Sequence, residues 1–139
     1  MKKTDDLQSD LMNAPDIGRF LAENTDCFRS ADFSTYLQQL FDKKGISKAA
    51  LARSAVMSEV YLYQLFSGGR RPSRNRVLCL CFGLSATLEE TQQLLKDSGN
   101  APLYVRDRRD AIVLHGIGNG LSLDQVNDTL YREGERTLY

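Results

Sequence analysis

The chain has 139 residues, 26% of them charged and 42% hydrophobic, which is the composition of a soluble globular domain with a core of ordinary size. No apolar run approaches the roughly 18 residues of a membrane span, and Met1-Lys2-Lys3-Thr4-Asp5-Asp6 lacks the apolar stretch of a secretory signal, so no membrane association and a cytoplasmic location are expected. The formal net charge is zero, yet residues 43–86 hold eight bases against one acid, between an acidic stretch 1–42 (four bases, eight acids) and another at 87–139 (six and nine).

Apolar residues recur at spacings of three and four rather than in alternation, so the predicted class is all-α. Residues 16–28 carry Ile17, Phe20, Leu21 and Phe28, a weak amphipathic helix inside an acidic N-terminal helical segment, 1–30. Residues 33–44 carry Phe33, Tyr36, Leu37, Leu40 and Phe41, a clear helix that closes on Lys43-Lys44-Gly45. Cations and then a glycine suit a helix C-terminus. Helices over 47–55, 58–67 and 73–84 open on Ser47, Ser58 and Ser73, whose hydroxyls can accept from first-turn N–H groups. Gly68 follows the second and Gly83 closes the third. Pro15, Pro72 and Pro102 mark boundaries.

The C-terminal half reads as a degenerate repeat of about 36 residues, a length typical of helix-pair repeats. Arg74 to Leu80, Gly83-Leu84-Ser85 and Leu94 to Gly99 align with Arg108 to Leu114, Gly120-Leu121-Ser122 and Thr129 to Gly134. Each copy has a basic start, an apolar helix, a Gly-Leu-Ser cap, an amphipathic helix and a glycine stop. Two stacked helical hairpins are expected, the second (100–139) extending a central unit (31–99) or mediating assembly.

The basic segment holds the informative pattern. Ser47 caps a short helix and Ala52 is a small residue where two helices must cross closely. Leu51, Met57, Leu62 and Leu65 bind both helices to the core, Ser58 caps the second helix and Gly68 ends it. Such a second helix can lie in a DNA major groove with its N-terminal residues facing base edges. Residues 45–68 resemble the signature of the XRE family, the lambda-repressor-like helix-turn-helix regulators. The likeness extends from about residue 33 to about residue 97, and the remainder is similar to a subgroup of such regulators in Gram-positive bacteria. The resemblance implies a lambda-repressor-like bundle with an extra N-terminal helix and a C-terminal helical hairpin. It also implies transcription regulation on double-stranded DNA.

By the same resemblance, Glu59, Val60, Tyr63 and Gln64 are the base-reading positions. Gln64 matches adenine N6 and N7, Glu59 accepts from cytosine N4, and Val60 meets a thymine methyl. Lys48, Ser58, Tyr61, Arg70, Arg71 and Arg74 are the phosphate-binding positions. A homodimer is expected, because one short helix reads few base pairs. Two departures stand out. Val56 occupies a turn position where the family has glycine, and the second helix carries no Arg or Lys. Tyr61, Tyr63 and Phe66 suit a protein partner as well, so the alternative is an adaptor that keeps the fold and binds protein.

No catalytic arrangement is legible around His115, the sole histidine, which is expected as a partly buried helix residue. Gly116, Gly118 and Gly120 lack the preceding strand of a nucleotide loop and read as a helix end and turn. Residues 106–110 read as helix-start salt bridges. Cys27, Cys79 and Cys81 fit no zinc spacing and are expected as small buried hydrophobes. Neither an enzyme activity, a metal nor a cofactor is expected.

Overall fold

A computed structural model gives the placement of residues 2–25 and 29–139, with side chains described at all of these except 29–31. The described residues form α1 (Thr4–Asn13), α2 (Ile17–Glu23), α3 (Arg29–Lys44), α4 (Lys48–Ser54), α5 (Glu59–Ser67), α6 (Arg74–Gly83), α7 (Leu88–Asp97), α8 (Arg108–Gly118) and α9 (Leu123–Arg132). No strand occurs among them, and none of these helices is long and apolar enough to cross a membrane. Cys27 and Phe28 lie outside the described residues.

The serine caps form as the sequence leads one to expect. Ser47, Ser58 and Ser73 accept from the N–H groups of Ala50, Tyr61 and Arg76 at 3.1, 3.0 and 3.3 Å. Thr87 and Ser122 open α7 and α9 with full capping boxes, closed by Glu90 and Gln125. Helix α1 falls within the segment 1–30 expected to be helical, although no separate helix over 4–13 was read there; it has no side-chain cap and buries no residue.

One core runs through the molecule from Phe33 and Leu37 of α3 to Leu130 of α9 and Leu138 beyond it. Helix α3 packs on α5 and α7, and α4 on α5 and α6. The hairpin α8–α9 packs α8 on α7 and α9 on α6. It therefore shares the core of α3–α7.

Three hairpins use one turn. Met57, Ala86 and Leu121 donate to the carbonyls of Ala52, Cys81 and Gly116 at 3.0, 2.9 and 2.9 Å. The residue before each donor is left-handed: Val56 at φ 54°, Ser85 at 53° and Gly120 at 65°. Gly120 therefore corresponds to Ser85 rather than to Gly83, which corrects the register read from sequence. The pairing of Gly-Leu-Ser with Gly-Leu-Ser fails because Ser85 adopts the left-handed conformation and Thr87 provides the cap, whereas Gly120 and Ser122 fill those roles.

In the corrected register the two C-terminal hairpins repeat every 35 residues. Arg74 donates to the carbonyls of Ala101 and Pro102 at 2.9 and 3.1 Å, and Arg109 to those of Arg136 and Thr137 at 2.8 and 3.1 Å. The Gln92 amide holds the N–H and C=O of Leu103, and Asn127 holds the N–H of Leu138 and the C=O of Tyr139. Across the junction, Arg74 grips Asp110 while Arg109 reaches Asn75. Each hairpin thus gives the other an equivalent contact, the reciprocity of a two-fold interface.

Candidate nucleic-acid interface

Helix α5 is fixed from below and open above. Leu62 and Leu65 are fully buried, while Glu59, Val60, Tyr63 and Gln64 are exposed, with Val60 at 69% and Tyr63 at 54%. All four expected base-reading residues therefore share the outer side of one helix.

Beside them lies an open recess of about 720 Å³ between the end of α4, the turn, α5 and the start of α6. Arg53, Arg70 and Arg76 line it together with Val56, Val60, Tyr61 and Gln64, and no carboxylate is among its lining residues. The Tyr61 ring is held between two guanidinium groups, Arg70 Cζ at 5.1 Å and Arg76 Cζ at 5.2 Å from its centroid. Such cation–π seating limits the wandering of long side chains. Arg76 Nη1 also donates to the Val56 carbonyl at 3.4 Å, tying the recess to the left-handed turn.

The expected phosphate-binding residues fare unequally. Arg70 sits in the recess, Tyr61 forms its floor, and Ser58 lines its edge with its hydroxyl accepting from Tyr61 N–H. Lys48 is half-buried, its Nζ lying 4.8, 4.9 and 5.9 Å from the ring centroids of Tyr63, Phe66 and Phe41. Arg71 is exposed but turned toward the end of α7, with Nε donating to the Ser98 carbonyl at 3.3 Å.

Arg74 requires a correction. Its guanidinium forks onto both oxygens of Asp110 at 2.9 and 2.8 Å and donates to two carbonyls, so four of its five N–H donors are engaged inside the protein. Asp110 is buried, and although burial alone would raise its carboxyl, Arg74 and the Tyr104 N–H hold it below its ordinary range. A phosphate would have to compete with a buried carboxylate for most of the Arg74 guanidinium.

One lining residue, Arg53, was not among the expected contacts, whereas Arg76 belongs to the arginine run, Arg70, Arg71, Arg74 and Arg76, expected to meet phosphate. Arg53 carried no signal beyond belonging to the basic segment.

Elsewhere, chemistry is muted. Burial pushes the thiols of Cys79 and Cys81 up to about 11 and about 12, so they are not nucleophiles at neutral pH. His115 is exposed on α8 rather than partly buried, because no described element covers that face of the helix. The acids and bases near the start of α8 do form ion pairs, Arg108 with Glu133 and Glu135 and Asp110 with Arg74.

Comparison of the chain with protein-family models, with curated proteins and with solved structures found no match.

Proposed function

We propose that this protein binds double-stranded DNA through α4 and α5 in a lambda-repressor-like arrangement and regulates transcription. The observation that carries the reading is the arginine-lined recess without a carboxylate, directly beside the exposed face of α5. In this reading Arg53, Arg70 and Arg76 meet the phosphate backbone, and Glu59, Val60 and Gln64 face base edges. Tyr63 seats Lys48 and borders the contact.

One observation favours the adaptor reading. Lys48 is drawn into aromatic rings, and the outer side of α5 presents Val60 and Tyr63, which is apolar surface suited to a protein partner. The two readings part on one experiment: recovery of genomic fragments bound by the full chain at moderate salt. The DNA reading expects a small enriched set, lost when Arg53 and Arg70 are both replaced by Ala. Failure of the unaltered chain to enrich any fragment, at low salt as well, overturns it in favour of the adaptor.

A further inference from the structure

The arginines of the recess are balanced differently from Arg19, Arg74 and Arg108, each of which ends on a carboxylate at 2.7–2.8 Å. The Arg53 side chain makes no hydrogen bond, ion pair or ring contact with any described residue. Arg70 meets only the Tyr61 ring. Arg76 meets that ring and the Val56 carbonyl. The three come from the last turn of α4, the loop after α5 and the first turn of α6, and all line one recess that no carboxylate enters.

Gathering them there works against the fold. The Arg70 and Arg76 Cζ atoms stand 5.1 and 5.2 Å from one ring centroid, so they lie at most about 10 Å apart, and like charges that close repel. Arg76 also sits at the positive end of the α6 dipole, where a cation is disfavoured, and the first turn of α6 has no acid to offset it. A bound anion removes both penalties.

Size and charge narrow the anion. A recess of about 720 Å³ has the capacity of a small-molecule site rather than of a single ion. One phosphate monoester carries about −1.5 to −2 at neutral pH, short of three guanidinium charges, whereas two or three linked phosphates match them. Guanidinium forks pair with phosphate oxygens two at a time. Ser58 and Gln64, also in the lining, add neutral donors.

We propose that the recess holds a free oligophosphate anion, inorganic or the phosphate chain of a nucleotide, gripped by Arg53, Arg70 and Arg76. The bound anion occupies the place of the DNA backbone phosphates and so releases DNA. That release rests on the DNA reading; the binding of the anion does not.

Calorimetric titration of the full chain with inorganic triphosphate, at fixed ionic strength, tests it. Saturable one-to-one binding is expected, weakened tenfold or more by Arg53→Ala, whose side chain holds nothing else in the fold. Arg106→Ala, exposed and outside the recess, binds as the parent does. Adenosine triphosphate that binds no tighter than triphosphate assigns the site to the phosphate chain alone; tighter binding that Gln64→Ala abolishes assigns it to a nucleotide. No saturable binding of either compound overturns the proposal, as does binding that Arg53→Ala leaves unchanged. Triphosphate that binds yet leaves a DNA complex intact overturns the release. Triphosphate binding by a chain that binds no DNA sustains the site and removes the DNA reading, and DNA binding without triphosphate binding does the reverse.

Discussion

Arg74 of α6 and Asp110 of α8 meet fork to fork at 2.8–2.9 Å across the junction of the two C-terminal hairpins, and Asp110 is only 5% exposed. The symmetric site is weaker, since Arg109 finds an Asn75 amide oxygen at 3.0 Å instead of a carboxylate. Burial, then Arg136 and Arg74, pull the Arg109 pKa down. Removing one partner of a buried pair leaves an uncompensated charge, so Arg74→Ala is expected to cost about 3–5 kcal/mol in urea unfolding. Asn75→Asp gives Arg109 the missing carboxylate and is expected to gain up to about 1 kcal/mol. A cost below about 1 kcal/mol for Arg74→Ala would show that the pair does not hold the hairpins together.

The turn between α4 and α5 stores strain. Val56 sits at φ 54°, a left-handed conformation that costs a residue with a Cβ roughly 1–2 kcal/mol. It is 41% exposed, so little packing is lost on truncation. Val56→Gly removes the strain and adds backbone entropy to the unfolded chain, roughly 0.5–1 kcal/mol in the other direction. The expected net effect is a stabilisation of up to about 1 kcal/mol, read as a higher denaturant midpoint with unchanged slope. Destabilisation would mean that the Arg76 contact to this turn depends on the valine.

These elements show where sequence reading succeeds and where it stops. The serine caps, and the inward Leu62 and Leu65, were legible because each depends on residues within one or two turns. The left-handed turn at Val56 was legible only as a departure from a familiar pattern. Its counterpart Ser85 was invisible, and that concealed the true register of the repeat. A separate α1 was not read within the helical segment 1–30 because no capping side chain marks its start. Arg74 was misread because its partner lies 36 residues away, and no local pattern distinguishes an arginine committed to a buried acid from a free one. Arg53 and Arg76 come together only through the packing of α4 on α6.

Glu90 ties α3 to α7 and makes stability depend on pH. Burial alone would raise its carboxyl, but the Thr87 N–H, Lys44 and Lys43 hold it down to about 2 from an ordinary 4.5. A folded pKa below the unfolded one means that the stabilisation is complete above about pH 4.5 and is lost as pH falls toward 2. The amount at neutral pH is of order 3 kcal/mol. Glu90→Gln preserves the capping-box geometry, which Gln125 already provides in α9, and removes the charge. It is expected to lower stability at pH 7 and to flatten the acid limb between pH 4.5 and 2. An acid limb as steep as that of the parent would assign the pH dependence to other groups.

On the proposed interface, Arg53 and Gln64 are expected to behave differently, and the difference tests the division of labour between backbone and base contacts. Arg53 lines the recess as a charge, so Arg53→Ala should weaken binding by a similar factor on every sequence. It should also reduce the slope of log affinity against log salt by about one counterion. Gln64 is exposed and uncharged on the outer side of α5, where a bidentate contact to adenine is worth about 1–3 kcal/mol. Gln64→Ala should therefore leave the salt slope and binding to random DNA unchanged, and lower affinity for the preferred site by about tenfold to a hundredfold. Titration of both variants against preferred and random duplexes at several salt concentrations separates these effects. Equal losses for Gln64→Ala on both duplexes would remove it from the base-reading set and leave Glu59 and Val60 as the remaining readers on that helix.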